Sequence, residues 1–125
     1  VKQFDGFVAI HDLHVNGKLT LGENIGDLGG LLIVYDAWRA ATENQRLMPI
    51  DGLTPDQRFF HGWAQGWRRM HTEQDLKLRL NTDVHAPAKF RVLGPYANID
   101  AFATAFDCKA GDKMVARPDE KVVIW

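Results

Sequence analysis

A mainly α fold with short extended segments near both ends is predicted by three features of this 125-residue chain. Apolar residues recur at helical spacing through Ile25, Leu28, Leu32 and Tyr35, and again through Phe59, Trp63, Trp67 and Met70. Helix-start signals stand ahead of these runs at Thr20 and Thr54, and a third, Thr72, precedes Leu76 and Leu80. Extended runs are confined to the region before Leu21 and to the final Val122-Val123-Ile124-Trp125.

The length fits one domain with a real core, and four Trp and seven Phe supply a substantial apolar volume for it. Fifteen basic and sixteen acidic residues nearly cancel, which argues against nucleic acid and anionic membrane surfaces as partners. No apolar run approaches the roughly 20 residues of a membrane span, and no signal-peptide pattern opens the sequence. The single cysteine, Cys108, has no internal disulfide partner and leaves the redox compartment undecided.

In sequence order, Val1 to Leu21 reads as a loop and short extended pieces, with Asn16-Gly17 turning Leu13-His14-Val15 back onto Lys18-Leu19-Thr20-Leu21. His11 and His14 are expected on the surface. The first long helix is expected from about Gly22 to Glu43 or Asn44, with Ile25, Leu28, Leu32 and Tyr35 inward. Gly26, Gly29 and Gly30 each cost a helix about 1 kcal/mol relative to alanine, so close approach of another group is expected there. Pro49 and Asp51-Gly52 turn the following loop. Thr54-Pro55-Asp56-Gln57 combines an N-cap, a proline at the first helical position and a capping box. The helix that follows should bury Phe59, Trp63, Trp67 and Met70, with Arg68, Arg69 and His71 suiting its C-terminal dipole. Thr72 caps a short helix through Leu80, turning Leu76 and Leu80 inward and Lys77 and Arg79 outward. Residues 81–91 read as a loop, Gly94-Pro95 as a turn, and Asn98 as the cap of a helix through about Cys108 anchored by Phe102 and Phe106. Gly111-Asp112 ends that element, Lys113 to Lys121 is loop, and Val122 to Trp125 should dock as a short strand or extension.

Two stretches carry chemistry. Glu23 and Asp27, one helical turn apart, point into the same volume. Thr20-x-x-Glu23 reads as a capping box; Glu23 also reads as a metal ligand, with Asp27 orienting another ligand from behind. Asp83 and His85 share a face in extended geometry, where a carboxylate favours the charged imidazole and fixes its tautomer. Taken alone the pair is weak evidence, since most such pairs are ordinary surface hydrogen bonds.

Taken in order, Gly22-Glu23-Asn24-Ile25-Gly26-Asp27, Phe59-Phe60-His61-Gly62-Trp63-Ala64-Gln65-Gly66-Trp67-Arg68 and Asp83-Val84-His85-Ala86-Pro87-Ala88-Lys89-Phe90-Arg91 resemble the C-terminal part of the neprilysin family of zinc metallopeptidases. Val15 to Gly22, Phe106-Asp107-Cys108 and Trp125 fit the same family, so the resemblance covers essentially the whole sequence. It implies the helical C-terminal part of a zincin-like catalytic domain that acts on peptides outside the cytoplasm, whether secreted, periplasmic or at the cell surface. By the resemblance, Glu23 completes the zinc site and Asp27 steadies a zinc-bound histidine. His85 donates to the oxyanion of the tetrahedral intermediate with Asp83 orienting it, and Arg91 holds a substrate carbonyl. Gly66 and Trp67 match the pocket for the residue after the scissile bond, although the familiar form has valine at the Gly66 position. Gly26 likewise replaces a more usual alanine. Val122 stands where animal relatives offer Cys108 a disulfide partner, which points to a bacterial-type member.

One motif is absent: no His-Glu-x-x-His, the source of two zinc ligands and the general base in that family, occurs in these residues. Glu23 alone cannot hold zinc tightly. The chain therefore reads as one portion of a peptidase whose partners are the upstream catalytic segment and peptide substrates. The isolated portion is expected to be inactive, with uncovered apolar surface that favours self-association. The rival reading is a non-enzymatic helical interaction module, or a degenerate binding-only relative, in which Glu23 is a cap and Asp83 and His85 a surface pair. A His-Glu-x-x-His upstream of Val1 discriminates the two.

Overall fold

The computed structural model describes residues 1–124, so the terminal Trp125 lies outside the described residues. The chain opens with a one-turn helix α1 (Lys2–Asp5) and an antiparallel hairpin of β1 (Val8–Ile10) and β2 (Leu13–His14). The hairpin turns at His11, which takes φ 50°, and not at Asn16-Gly17 as the sequence predicts. Asn16 instead starts a helical turn: its side chain accepts from the Leu19 amide at 2.9 Å and its carbonyl from the Thr20 amide at 3.1 Å. Gly17 is required for a different reason, because a Cβ there would stand 2.4 Å from the Val1 carbonyl oxygen. Its amide donates to Asp5 Oδ1 at 2.7 Å.

Helix α2 (Leu21–Thr42) follows at the expected position. The Thr20–Glu23 capping box does not form. Thr20 is buried, donates to the Asn16 carbonyl and accepts from Asn24 Nδ2, so its hydroxyl is consumed beneath the helix and Glu23 is released outward. Leu28 and Leu31 carry the buried face, while Ile25 is exposed. A Cβ at Gly26 or Gly30 would meet nothing within 4 Å, contrary to the close approach expected there, and Gly29 is buried.

After an Asp51-Gly52 turn with both residues at positive φ, helix α3 (Pro55–Gly66) begins with the predicted capping box between Thr54 and Gln57. It ends one turn before expected. Trp67 is its C-cap and Met70 is 98% exposed, because residues 68–72 leave the helix before Thr72 caps α4 (Glu73–Thr82). Arg68, Arg69 and His71 therefore lie beyond the helix whose dipole the sequence pairs them with. Helix α4 turns Leu80 inward and leaves Lys77 and Arg79 exposed, as predicted.

The expected loop 81–91 shrinks to five residues, since α5 (Ala88–Tyr96) already contains Arg91. Pro87 sets the entry, with the Phe90 amide donating to its carbonyl at 2.8 Å. Gly94-Pro95 is not a turn but lies inside α5. An internal proline leaves the carbonyl four residues back without its donor. Here that carbonyl belongs to Arg91, and Trp63 Nε1 donates to it at 3.2 Å. Gly94 is needed because a Cβ would stand 2.4 Å from Phe4 Cζ. Asn98 does not cap a helix; its side chain bonds the Gly94 carbonyl, Gln3 and the Val122 amide, tying both ends of the protein to α5. Helix α6 (Asp100–Ala105) is shorter than predicted because Asp107 adopts φ 53° and the Cys108 amide turns back to the Ala103 carbonyl.

Two apolar clusters result. Leu28, Leu31, Phe60, Tyr96, Ile99 and Phe102 join α2, α3, α5 and α6, and Ile124 docks on them as an extension without a strand. Phe4, Val15, Leu80, Ala86 and Phe90 join the N-terminal segment to α4 and α5. The candidate cluster described below lies between α2 and α5, where both cores constrain it.

Replacing Gly94 with alanine forces the buried Phe4 ring off its edge-to-face contact with Phe7. The expected loss is about 1–3 kcal/mol in urea unfolding; an unchanged midpoint overturns this packing account. A second prediction concerns the only two tyrosines. Burial, reinforced by the hydrogen bond to Asp56, pushes Tyr35 up to about 12, and burial also raises Tyr96. A raised phenol contributes stability that is fully present below its ordinary value of about 10. That contribution is lost as pH rises through the folded value. Tyrosinate absorbance should therefore emerge well above pH ~10, together with unfolding; ionisation near the ordinary value in the folded protein contradicts the burial of Tyr96 and the half-buried, Asp56-bonded state of Tyr35.

Candidate active site

Helix α2 presents Glu23 and Asp27 on adjacent turns, and their environments differ. Asp27 has 7% side-chain exposure whereas Glu23 has 43%. From α5, Arg91 reaches across and grips Asp27 bidentately, Nε to Oδ2 at 2.6 Å and Nη2 to Oδ1 at 2.7 Å. This is the fork-to-carboxylate geometry in which both oxygens and both donors are satisfied at once. Glu23 Oε2 lies farther from Arg91 Nη2, at 3.7 Å. The Arg91 guanidinium also stacks 4.0 Å above the Trp67 ring centroid, so its plane is fixed by an aromatic face as well as by charge.

The short turn ahead of α5 supplies His85. Its Nε2 sits 3.1 Å from Glu23 Oε2 and its Nδ1 2.8 Å from Asp83 Oδ1. The same Asp83 oxygen accepts the His85 backbone amide at 2.9 Å. A carboxylate on Nδ1 places that proton there and aims Nε2 at Glu23. The His85 amide and ring hold the Asp83 carboxyl below the usual carboxylate range, with Arg79 adding to the effect.

Six of the seven residues singled out from sequence thus meet in one volume: Glu23, Asp27, Trp67, Asp83, His85 and Arg91. Gly66 does not join them; it is the last residue of α3, and a Cβ there would enter open space. Sequence reasoning missed Arg79. Its Nη1 donates to Asp83 Oδ2 and its Nε to Asp75 Oδ2, both at 2.9 Å, and His71 Nδ1 lies 2.6 Å from that Asp75 oxygen. The signal is present in the sequence: Asp75, Arg79 and Asp83 recur every four residues, the spacing at which helical side groups meet.

The fit of this cluster to a metal is partial. Glu23 Oε1 makes no hydrogen bond or ion pair among the described residues, which leaves one carboxylate oxygen open to a cation. Among the described residues no group of three or more His, Cys, Asp or Glu could hold a metal ion. The described residues therefore show one open carboxylate oxygen and no complete metal site.

Comparison with known proteins places these residues in a family context. The profile of Peptidase family M13 matches residues 1–122. An endothelin-converting enzyme homolog of Locusta migratoria is 43% identical over 100% of this sequence, and endothelin-converting enzyme 1 of Rattus norvegicus is 38% identical over the same span. These 125 residues account for only 17% and 16% of those two relatives' lengths. The crystal structure of the Mycobacterium tuberculosis zinc metalloprotease Zmp1 with an inhibitor superimposes with TM-score 0.93 at 39% identity, over 99% of this protein and 20% of that one.

The pair joins a buried Asp27 to an Arg91 whose side chain is 14% exposed through two hydrogen bonds, so removing one partner strands the other. Asp27→Ala should cost about 3–5 kcal/mol in chemical unfolding, and Arg91→Lys should recover little because it lacks the fork. A loss below about 1 kcal/mol, the range of exposed pairs, contradicts the buried geometry.

Proposed function

Because this chain belongs to Peptidase family M13, the neprilysin family, we propose that it is the C-terminal portion of the catalytic domain of a zinc metalloendopeptidase. Its role is to supply one metal ligand, oxyanion stabilisation and substrate binding for the cleavage of oligopeptides. The observation that carries this reading is the convergence of Glu23, His85 and Arg91 on one volume, each already committed to a geometry. A helical interaction module has no need of a half-exposed carboxylate and an imidazole at 3.1 Å.

Glu23, with Oε1 open, is the zinc ligand of this portion. Zinc, when bound, supplies a Lewis acid that polarises the scissile carbonyl and lowers the pKa of the attacking water. The remaining work falls to the protein's own groups. His85 Nε2 donates to the oxygen on which negative charge develops as the carbonyl becomes tetrahedral, a donor prepared before the reaction and stronger in the transition state than in the ground state. Asp83 keeps the proton of Nδ1 in place and stabilises the ring when it is charged. Arg91, held by Asp27 and Trp67, fixes a substrate carbonyl, while the Trp67 ring forms a wall for the side group after the scissile bond. Asp27 steadies a metal-bound histidine supplied from the rest of the protein.

The chain spans about one sixth of the length of the curated relatives it matches, and two features support packing against further protein. Asn24 Oδ1 is buried with no hydrogen-bond partner among the described residues. Ile25, Ile33 and Val34 are exposed on α2, and this uncovered apolar surface should drive self-association of the isolated portion. No helix among the described residues is long and apolar enough to cross a membrane. The mycobacterial structure in the comparison supports a bacterial-type member, and peptide processing outside the cytoplasm is the placement the family favours.

In the zinc-loaded parent enzyme, His85→Phe should lower kcat about 10²–10³-fold with a much smaller change in KM, because its hydrogen bond strengthens in the transition state. Glu23→Gln should lower both zinc content and activity. The isolated 125-residue protein should neither cleave peptides nor retain stoichiometric zinc. Full activity of the His85 variant, or tight zinc in the isolated portion, sinks the assignment.

A further inference from the structure

A cavity of about 230 Å³ opens at the site, between the end of α3, the face of α4 and the turn ahead of α5, and Trp67, Asp83, His85 and Arg91 form part of its wall. Its wall holds three guanidinium groups, Arg69, Arg79 and Arg91, against a single carboxylate, Asp83. Most of these charges are already matched. Arg91 is gripped by Asp27, Arg79 is divided between Asp75 and Asp83, and the His71 ring is paired with Asp75. Asp83, the one acid on the wall, is itself taken up by Arg79 and His85.

Arg69 differs from the others. Among the described residues it forms no ion pair; its guanidinium instead rests 5.3 Å from the Trp67 ring centroid. Trp67 thus carries two guanidinium groups, both on the cavity wall: Arg91 is committed to Asp27, and Arg69 is unmatched among the described residues. An unpaired cation aligned on an aromatic wall, in a concave site whose other charges are internally balanced, is arranged to meet an anion from outside.

We infer that this cavity is an anion subsite in which Arg69 meets a carboxylate of the peptide substrate, next to the carbonyl held by Arg91. The inference rests on the peptidase reading above and adds the charge class of the substrate. The carboxylate comes either from an Asp or Glu residue that follows the scissile bond or from the peptide's own C-terminus. The two sources present the same bidentate geometry to a guanidinium.

The test uses the zinc-loaded parent enzyme and a matched set of quenched-fluorescence peptides with Glu or Gln after the scissile bond, each with a free or amidated C-terminus. The expected result is kcat/KM about tenfold higher for the Glu or the free-acid member of a pair, the scale of one charge-assisted hydrogen bond. Whichever pair shows the preference identifies the source. Arg69→Gln should bring that ratio close to one, and Arg69→Lys should retain part of it. Equal rates within both pairs for the wild type overturn the inference while leaving the peptidase reading intact. A preference undiminished in Arg69→Gln overturns it equally. Failure to cleave any member of the set defeats the peptidase reading, and the subsite falls with it.

Discussion

The bidentate pair between Arg91 and Asp27 is the interaction on which the remaining geometry depends. Two ionised groups removed from water are costly unless every donor and acceptor is met, and here Asp27 accepts from Nε and Nη2 while the guanidinium face rests on Trp67. The same residue is anchored a third way through its backbone. Pro95 cannot donate to the Arg91 carbonyl, and the Trp63 indole of α3 takes that place. One residue of α5 is therefore fixed to α2 by charge and to the α3 segment by two tryptophans. A local departure from helix rules, proline inside α5, becomes a tertiary link.

The second arm of the site is built differently. His85 sits on a short turn and owes its orientation to Asp83, whose two oxygens are divided between the His85 amide and ring on one side and Arg79 on the other. Arg79 in turn is held by Asp75, itself paired with His71. These groups are partly solvated, so each contact taken singly stabilises little. Together they determine where His85 Nε2 points. The buried arm fixes the distance between α2 and α5, whereas the solvated arm sets the direction of a single donor.

How much of this is legible in the sequence varies by residue for physical reasons. Thr54 reads correctly because a capping box is local and Gln57 lies within reach of it. Thr20 carries the same local signal, but burial beneath α2 commits its hydroxyl to Asn16 and Asn24. Gly94-Pro95 reads as a turn in any local view, and only the distant Phe4 ring and Trp63 indole make it part of a helix. Met70 continues an apolar period past the point where the backbone leaves the helix. Six of the seven candidate site residues do lie together, because residue type and spacing in a short motif restrict their placement more tightly than they restrict helix ends. The pairing within the site is nonetheless invisible: nothing local links Asp27 to Arg91, 64 positions away.

That pairing also resolves a difficulty with Glu23. An arginine close to a carboxylate competes with any other cation for it, and a guanidinium with an open fork would engage Glu23 directly. Asp27 prevents this by occupying the Nε and Nη2 donors at 2.6 and 2.7 Å, leaving Glu23 a contact of 3.7 Å through Oε2, with Oε1 open. Coulomb attraction at that separation still restrains the Glu23 carboxylate, but without the directed hydrogen bond that would hold it against exchange. The two acids stacked on α2 are therefore not duplicates. The buried one absorbs the arginine, and by doing so leaves the exposed one available for a cation.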